Sequence, residues 1–151
     1  MKFEDSIFVA APPPAVWKCL ADNKLLEACI PGCRGIEKKP QKGFIARMEL
    51  RVAFVSKAFD AHMLRRNIVP QSAVTIEAKV GHKHSATANL TLTPEGTGTR
   101  VGYVMDLALD GMMSKGLGGM VVTTTARKLT ADFCERLGKV AQEQQTGTKQ
   151  E

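Results

Sequence analysis

The chain has 151 residues, 44% of them hydrophobic and 24% charged, and carries a formal net charge of +6. That is enough chain for one domain with a real core. No apolar run reaches the ~18 residues of a membrane span, and none near Met1 resembles a secretory leader. A cytoplasmic protein with at most peripheral membrane contact is expected. The 21 basic residues are scattered and aromatics make up 5%, which leaves too few rings and no basic stripe for nucleic acid.

Lys2 to Val9 roughly alternates polar and apolar residues and predicts a first strand with Phe3, Ile7 and Val9 on one face. Pro12-Pro13-Pro14 stops it, because proline cannot donate to a ladder yet suits the first turn of a helix. A short helix over Ala15 to Ala21 follows, with Val16, Trp17 and Leu20 inward. Asp22 or Asn23 caps a second one through Leu25, Leu26 and Ala28. Ile30-Pro31-Gly32 ends it.

The middle of the chain has period two. Phe44, Ala46, Met48, Leu50 and Val52 form one face of a strand, and Ile45, Arg47, Glu49 and Arg51 the solvated other. Lys57 to Leu64 is a weaker strand with Phe59, Ala61 and Met63 inward, and Asn67 to Gln71 reads as a turn around Pro70. Val74, Ile76, Ala78 and Val80 define the next strand. Ala86, Ala88, Leu90 and Leu92 define another, and Val101, Tyr103, Met105, Leu107 and Leu109 the last. The turn Pro94-Glu-Gly-Thr-Gly98 joins these two as a hairpin.

Val122, Ala126, Leu129, Phe133, Leu137 and Val140 are spaced as one stripe of a long helix. The stretch before them, with Met112, Met113, Leu117 and Met120 among Gly111, Gly116, Gly118 and Gly119, reads as a hinge or a plain loop at a cavity entrance. Residues 1–140 are predicted to form the domain and 141–151 a polar C-terminal tail. The fold class is α+β. Many one-faced strands and one long helix are reconciled by a curved antiparallel sheet wrapped around that helix. The small and pliable inward residues then leave an apolar pocket.

Ala-Pro-Pro-Pro-Ala-Val-Trp17 before the first short helix resembles the helix-grip proteins of the START-like (SRPBCC) superfamily. Leu26-Glu-Ala-Cys-Ile-Pro-Gly-Cys33, Gly43-Phe44 and Ala126-Arg-Lys-Leu-Thr-Ala-Asp-Phe-Cys-Glu-Arg-Leu137 resemble the CoxG family of carbon monoxide dehydrogenase subunits. The resemblance implies a START-like helix-grip fold and a binding protein that is more an accessory than an enzyme. Its ligand would be an apolar small molecule, quinone or lipid-like, held between sheet and C-terminal helix. Its partner would be a molybdenum hydroxylase of the carbon monoxide dehydrogenase type. An assembly or docking module without ligand, and a small cyclase or hydrolase, are the alternatives.

The wall expected of such a cavity is Phe44, Met48, Phe59 and Met63, then Val74, Ile76, Tyr103 and Met105. Met112, Met113, Leu117 and Met120 are its gate, and His82 and His84 its few polar groups. The two histidines, two apart on an extended chain, point the same way. They would be half of a metal site, a donor to a ligand carbonyl, or polar residues in a turn. No metal or cofactor is expected. Cys29 and Cys33 are too far apart in sequence for a Cys-x-x-Cys motif and read, with Cys19 and Cys134, as reduced packing thiols. No nucleophile–base motif appears; His82 with Asp106 is the one acid–base pairing the spacing leaves open.

Overall fold

A computed structural model describes residues 2–40, 43–52, 55–81, 84–108 and 116–150; for 51, 52, 55, 116–123, 125 and 145–150 it describes the backbone alone. The elements run β1 (Lys2–Val9), α1 (Pro13–Ala21), α2 (Asn23–Cys29), β2 (Cys33–Lys38), β3 (Gly43–Val52), β4 (Val55–Val69), β5 (Ala73–Val80), β6 (His84–Glu95), β7 (Gly98–Ala108) and α3 (Gly116–Gln150). Seven antiparallel strands form one curved sheet in the order β1-β7-β6-β5-β4-β3-β2. The chain therefore crosses from one edge of the sheet to the other through α1 and α2. Both short helices pack against α3, which also meets β1.

The joints between elements follow from local chemistry. Asp22 caps α2, its carboxylate accepting the amides of Lys24 at 2.8 Å and Leu25 at 3.3 Å. Gly32, at φ +78°, turns the chain into β2, and its carbonyl accepts the Glu49 amide at 2.9 Å. A side chain there would stand 2.7 Å from the Glu49 carbonyl oxygen, so only glycine fits.

Strand register sets the rows of the concave face. Val101 lies between Ile7 and Leu92, Tyr103 between Asp5 and Leu90, and Met105 between Phe3 and Ala88. One end of the space under α3 is filled solid by Val9, Ala11, Val16, Cys19, Leu20, Leu92 and Ala141, each at most 6% exposed. Thr99 is fully buried there, and its hydroxyl donates to the Ala11 carbonyl at 2.7 Å.

Three boundaries differ from the sequence reading. β2 was not expected: half of Cys33–Lys38 is charged, and Gly35 and a register shift interrupt its pairing with β3. β4 runs on to Val69 and carries Arg65 on the row of Met63, facing the interior. The guanidinium is accommodated because Nε donates to the Leu20 carbonyl at the end of α1 and Nη1 to Asn23 Oδ1, both at 2.9 Å. It also lies 4.7 Å from the Phe44 ring centre. Burial holds its pKa below the usual arginine value. α3 continues as helix to Gln150, and Ala141 in its second half is fully buried. Ile45, on the outward row of β3, is nonetheless only 7% exposed.

Candidate ligand cavity

Beyond the filled end the concave face and α3 part, leaving a half-enclosed cavity of about 210 Å³. Its sheet wall is Met48, Met63, Ile76, Ala88, Leu90, Val101, Tyr103 and Met105. Leu26, Ile30 and Pro31 close it at the end of α2, and Leu129, Thr130, Phe133, Cys134 and Leu137 line it from α3. Ala88 contributes only a methyl between Ile76 and Met105 and beside Leu90, and the space opens over it because helix and sheet backbones do not close there.

Few polar atoms reach this wall. The Thr130 hydroxyl is committed to the Ala126 carbonyl of its own helix at 2.8 Å. The Cys134 thiol is pushed up from an ordinary 9.0 to about 11, by burial first and then by the charge of Asp5, so it is protonated at neutral pH. Burial likewise raises the Tyr103 phenol, the Asp5 charge adding to it and the Arg127 charge opposing. The cavity can therefore hold hydrocarbon and offers almost nothing to a polar group.

Five of the residues expected on the wall, Met48, Met63, Ile76, Tyr103 and Met105, come together on it. Phe44 lies under Arg65 in the filled core, and Val74, 2% exposed, stands one strand behind Leu90. Phe59 is opposite Met48 in register but borders a shallow outer depression with Arg34, Arg47 and Asp60. His84 is half-buried where β6 begins, opposite Val80. His82, Met112 and Met113 lie outside the described residues; Leu117 and Met120 lie in α3, where only the backbone is described. Ala88, the end of α2 and the named helix residues were not among the expected wall residues. The signal was present: Leu129, Phe133 and Leu137 are the stripe that any covering helix must turn to the sheet.

Cys29 is fully buried beside Cys19, and its thiol is pushed well up, first by the hydrogen bond with Cys19 and then by burial. Cys33 is half-buried, with its Sγ donating to the Gly35 carbonyl at 3.5 Å. Among the described residues no three His, Cys, Asp or Glu side chains gather as a metal would require. Asp106 is exposed on the convex face, in strand register with Lys2 of β1 and Thr87 of β6.

A sequence model of the carbon monoxide dehydrogenase CoxG subunit matches residues 6–142. The chain belongs to that family. Among curated proteins no sequence match is found. Of solved structures, a conserved protein from Geobacillus kaustophilus superposes with a TM-score of 0.85 at 22% identity, over 95% of this chain and 96% of that one. Ara h 8.0201 gives 0.67 at 15% identity, over 93% and 97%. The di-domain ARO/CYC StfQ from the steffimycin biosynthetic pathway gives 0.69 at 14%, over 96% of this chain and 51% of that one. At these identities the likeness is one of fold alone: a helix-grip domain, with a curved antiparallel sheet against a long C-terminal helix. In the described part of this CoxG-family chain no helix is long and apolar enough to cross a membrane.

Proposed function

We propose that this CoxG-family protein is a carrier that takes up an apolar, lipid-like or quinone-like molecule between sheet and α3, as an accessory to a molybdenum hydroxylase of the carbon monoxide dehydrogenase type. The observation that carries the reading is the cavity itself, about 210 Å³ lined by carbon and sulfur. A void of that kind forgoes packing energy in the empty protein and is filled favourably by hydrocarbon, at ~25 cal/mol per Å² buried. It is smaller than the ~300–1,000 Å³ of sites for drug-sized ligands, so it suits a slim chain or a single ring. The wall also favours hydrocarbon over a quinone's two carbonyls, which would find only Tyr103 and Cys134 near them. The hydroxylase partnership rests on the family's name.

Organic extraction of the purified protein, followed by mass spectrometry, is expected to release an apolar molecule. Ala88→Leu is expected to fill the void and weaken binding of N-phenyl-1-naphthylamine at least tenfold, with the fold intact by circular dichroism. An empty protein that binds no apolar probe, yet captures a component of the hydroxylase, would instead make it a docking module.

A further inference from the structure

A second space lies beside the cavity: a groove of about 540 Å³, open to solvent, between edge strand β1 and helix α3. Tyr103 and Cys134 border both spaces, so these two side chains form the partition between an apolar interior and a wet exterior. The groove is lined on the strand side by Asp5, Ile7 and Phe8, and on the helix side by Glu135, Gly138, Lys139 and Gln142.

Two residues along it do not suit the elements that carry them. Gly138 stands in the body of α3, where glycine is among the poorest helix formers. A side chain at that position would meet no atom within 4 Å, so no packing contact requires glycine, and its effect is to leave the groove clear. Asp5 shares the concave row of β1 with buried Phe3 and Val9, directly opposite Tyr103. One of its oxygens accepts the Ser6 amide at 2.8 Å. Glu135 is paired with Lys139 at 3.7 Å, and Arg127 is placed over the Phe3 ring at 5.0 Å; among the described residues Asp5 has no ion-pair partner. The groove thus presents Asp5, an exposed carboxylate with no ion-pair partner among the described residues, next to the partition, with Lys139 on the opposite, helix side.

We propose that the ligand is an amphiphile whose apolar end fills the cavity and whose polar, hydrogen-bond-donating or cationic end lies in the β1–α3 groove at Asp5, past Tyr103 and Cys134. This rests on the carrier reading and names the class of ligand for it. An anionic head would meet repulsion from Asp5; an ammonium would gain a charge-assisted hydrogen bond. The arrangement also gives the ligand's polar end a place that the cavity wall does not provide.

Titration of the protein with octylamine, 1-octanol and octanoate, followed by amide chemical shifts, tests it. Octylamine is expected to bind at least tenfold tighter than octanoate, with octanol between them. Asp5→Asn should bring the amine to the level of the alcohol. Gly138→Leu, which fills the groove without touching the cavity, should weaken both amine and alcohol at least fivefold. Octanoate binding as tightly as octylamine overturns the proposal. So does an Asp5→Asn protein that keeps the amine's advantage, or a Gly138→Leu protein that binds both as before. Failure of all three amphiphiles to bind the unaltered protein overturns the carrier reading as well.

Discussion

The two ends of the space beneath α3 are built from the same sheet and the same helix, yet one is solid and the other hollow. At the solid end α1 adds a third wall, and Val9, Val16, Leu20, Leu92 and Ala141 interlock with at most 6% exposure. At the hollow end α2 closes only the margin, and Ala88 between Ile76 and Met105 leaves a gap that methionines border. The lesson concerns division of labour. Stability is concentrated where three elements meet, and this releases the remainder of the interface to stay unfilled and available to a guest.

That contrast is breakable by mutation. The largest effect is expected from Leu20→Ala, which empties the solid end and should cost ~2–5 kcal/mol in urea unfolding. Met63→Ala, at the hollow end, should cost less than half as much, because its side chain already borders a void and has fewer contacts to lose. A result in which both cost the same would erase the distinction between the two ends. Thr99→Val keeps the shape of the solid end but strands the Ala11 carbonyl, and ~1–3 kcal/mol is expected by the same measurement.

A smaller effect is expected from pH. The Cys134 thiol, raised to about 11 in the folded protein against 9.0, keeps a proton that the unfolded chain releases. Its contribution is therefore fully present below pH 9 and is lost as pH rises from about 9 to about 11. Cys134→Ala should flatten the fall of the urea midpoint between pH 8 and 10.5, while leaving the midpoint's behaviour below pH 8 as it was.

Period and punctuation made most of the fold legible. Alternation located β1, β3, β5, β6 and β7, the prolines and Asp22 placed the starts of α1 and α2, and the Leu129–Phe133–Leu137 stripe marked the covering face of α3. Two things were invisible for definite reasons. β2 is short, half charged and interrupted at Gly35, so it has no period to read. Arg65 breaks the apolar row of β4, and only the carbonyl end of α1, 45 residues away in the chain, makes a buried guanidinium tolerable there.

The cavity divides along the same line. Inward alanines and methionines said that the concave face would be loosely filled, because side-chain volume is a property of the sequence. Where the emptiness falls depends on how far backbones approach one another, and that is set by the crossing of α3 over the sheet. Hence Phe44 and Val74, as apolar and as inward as Met63, ended in solid core, while Pro31 and Thr130 ended on the wall. The pairing of Asp5 with Gly138 across the groove is likewise tertiary: 133 positions separate them in the chain, and only β1 lying at the sheet edge under α3 brings them to one site.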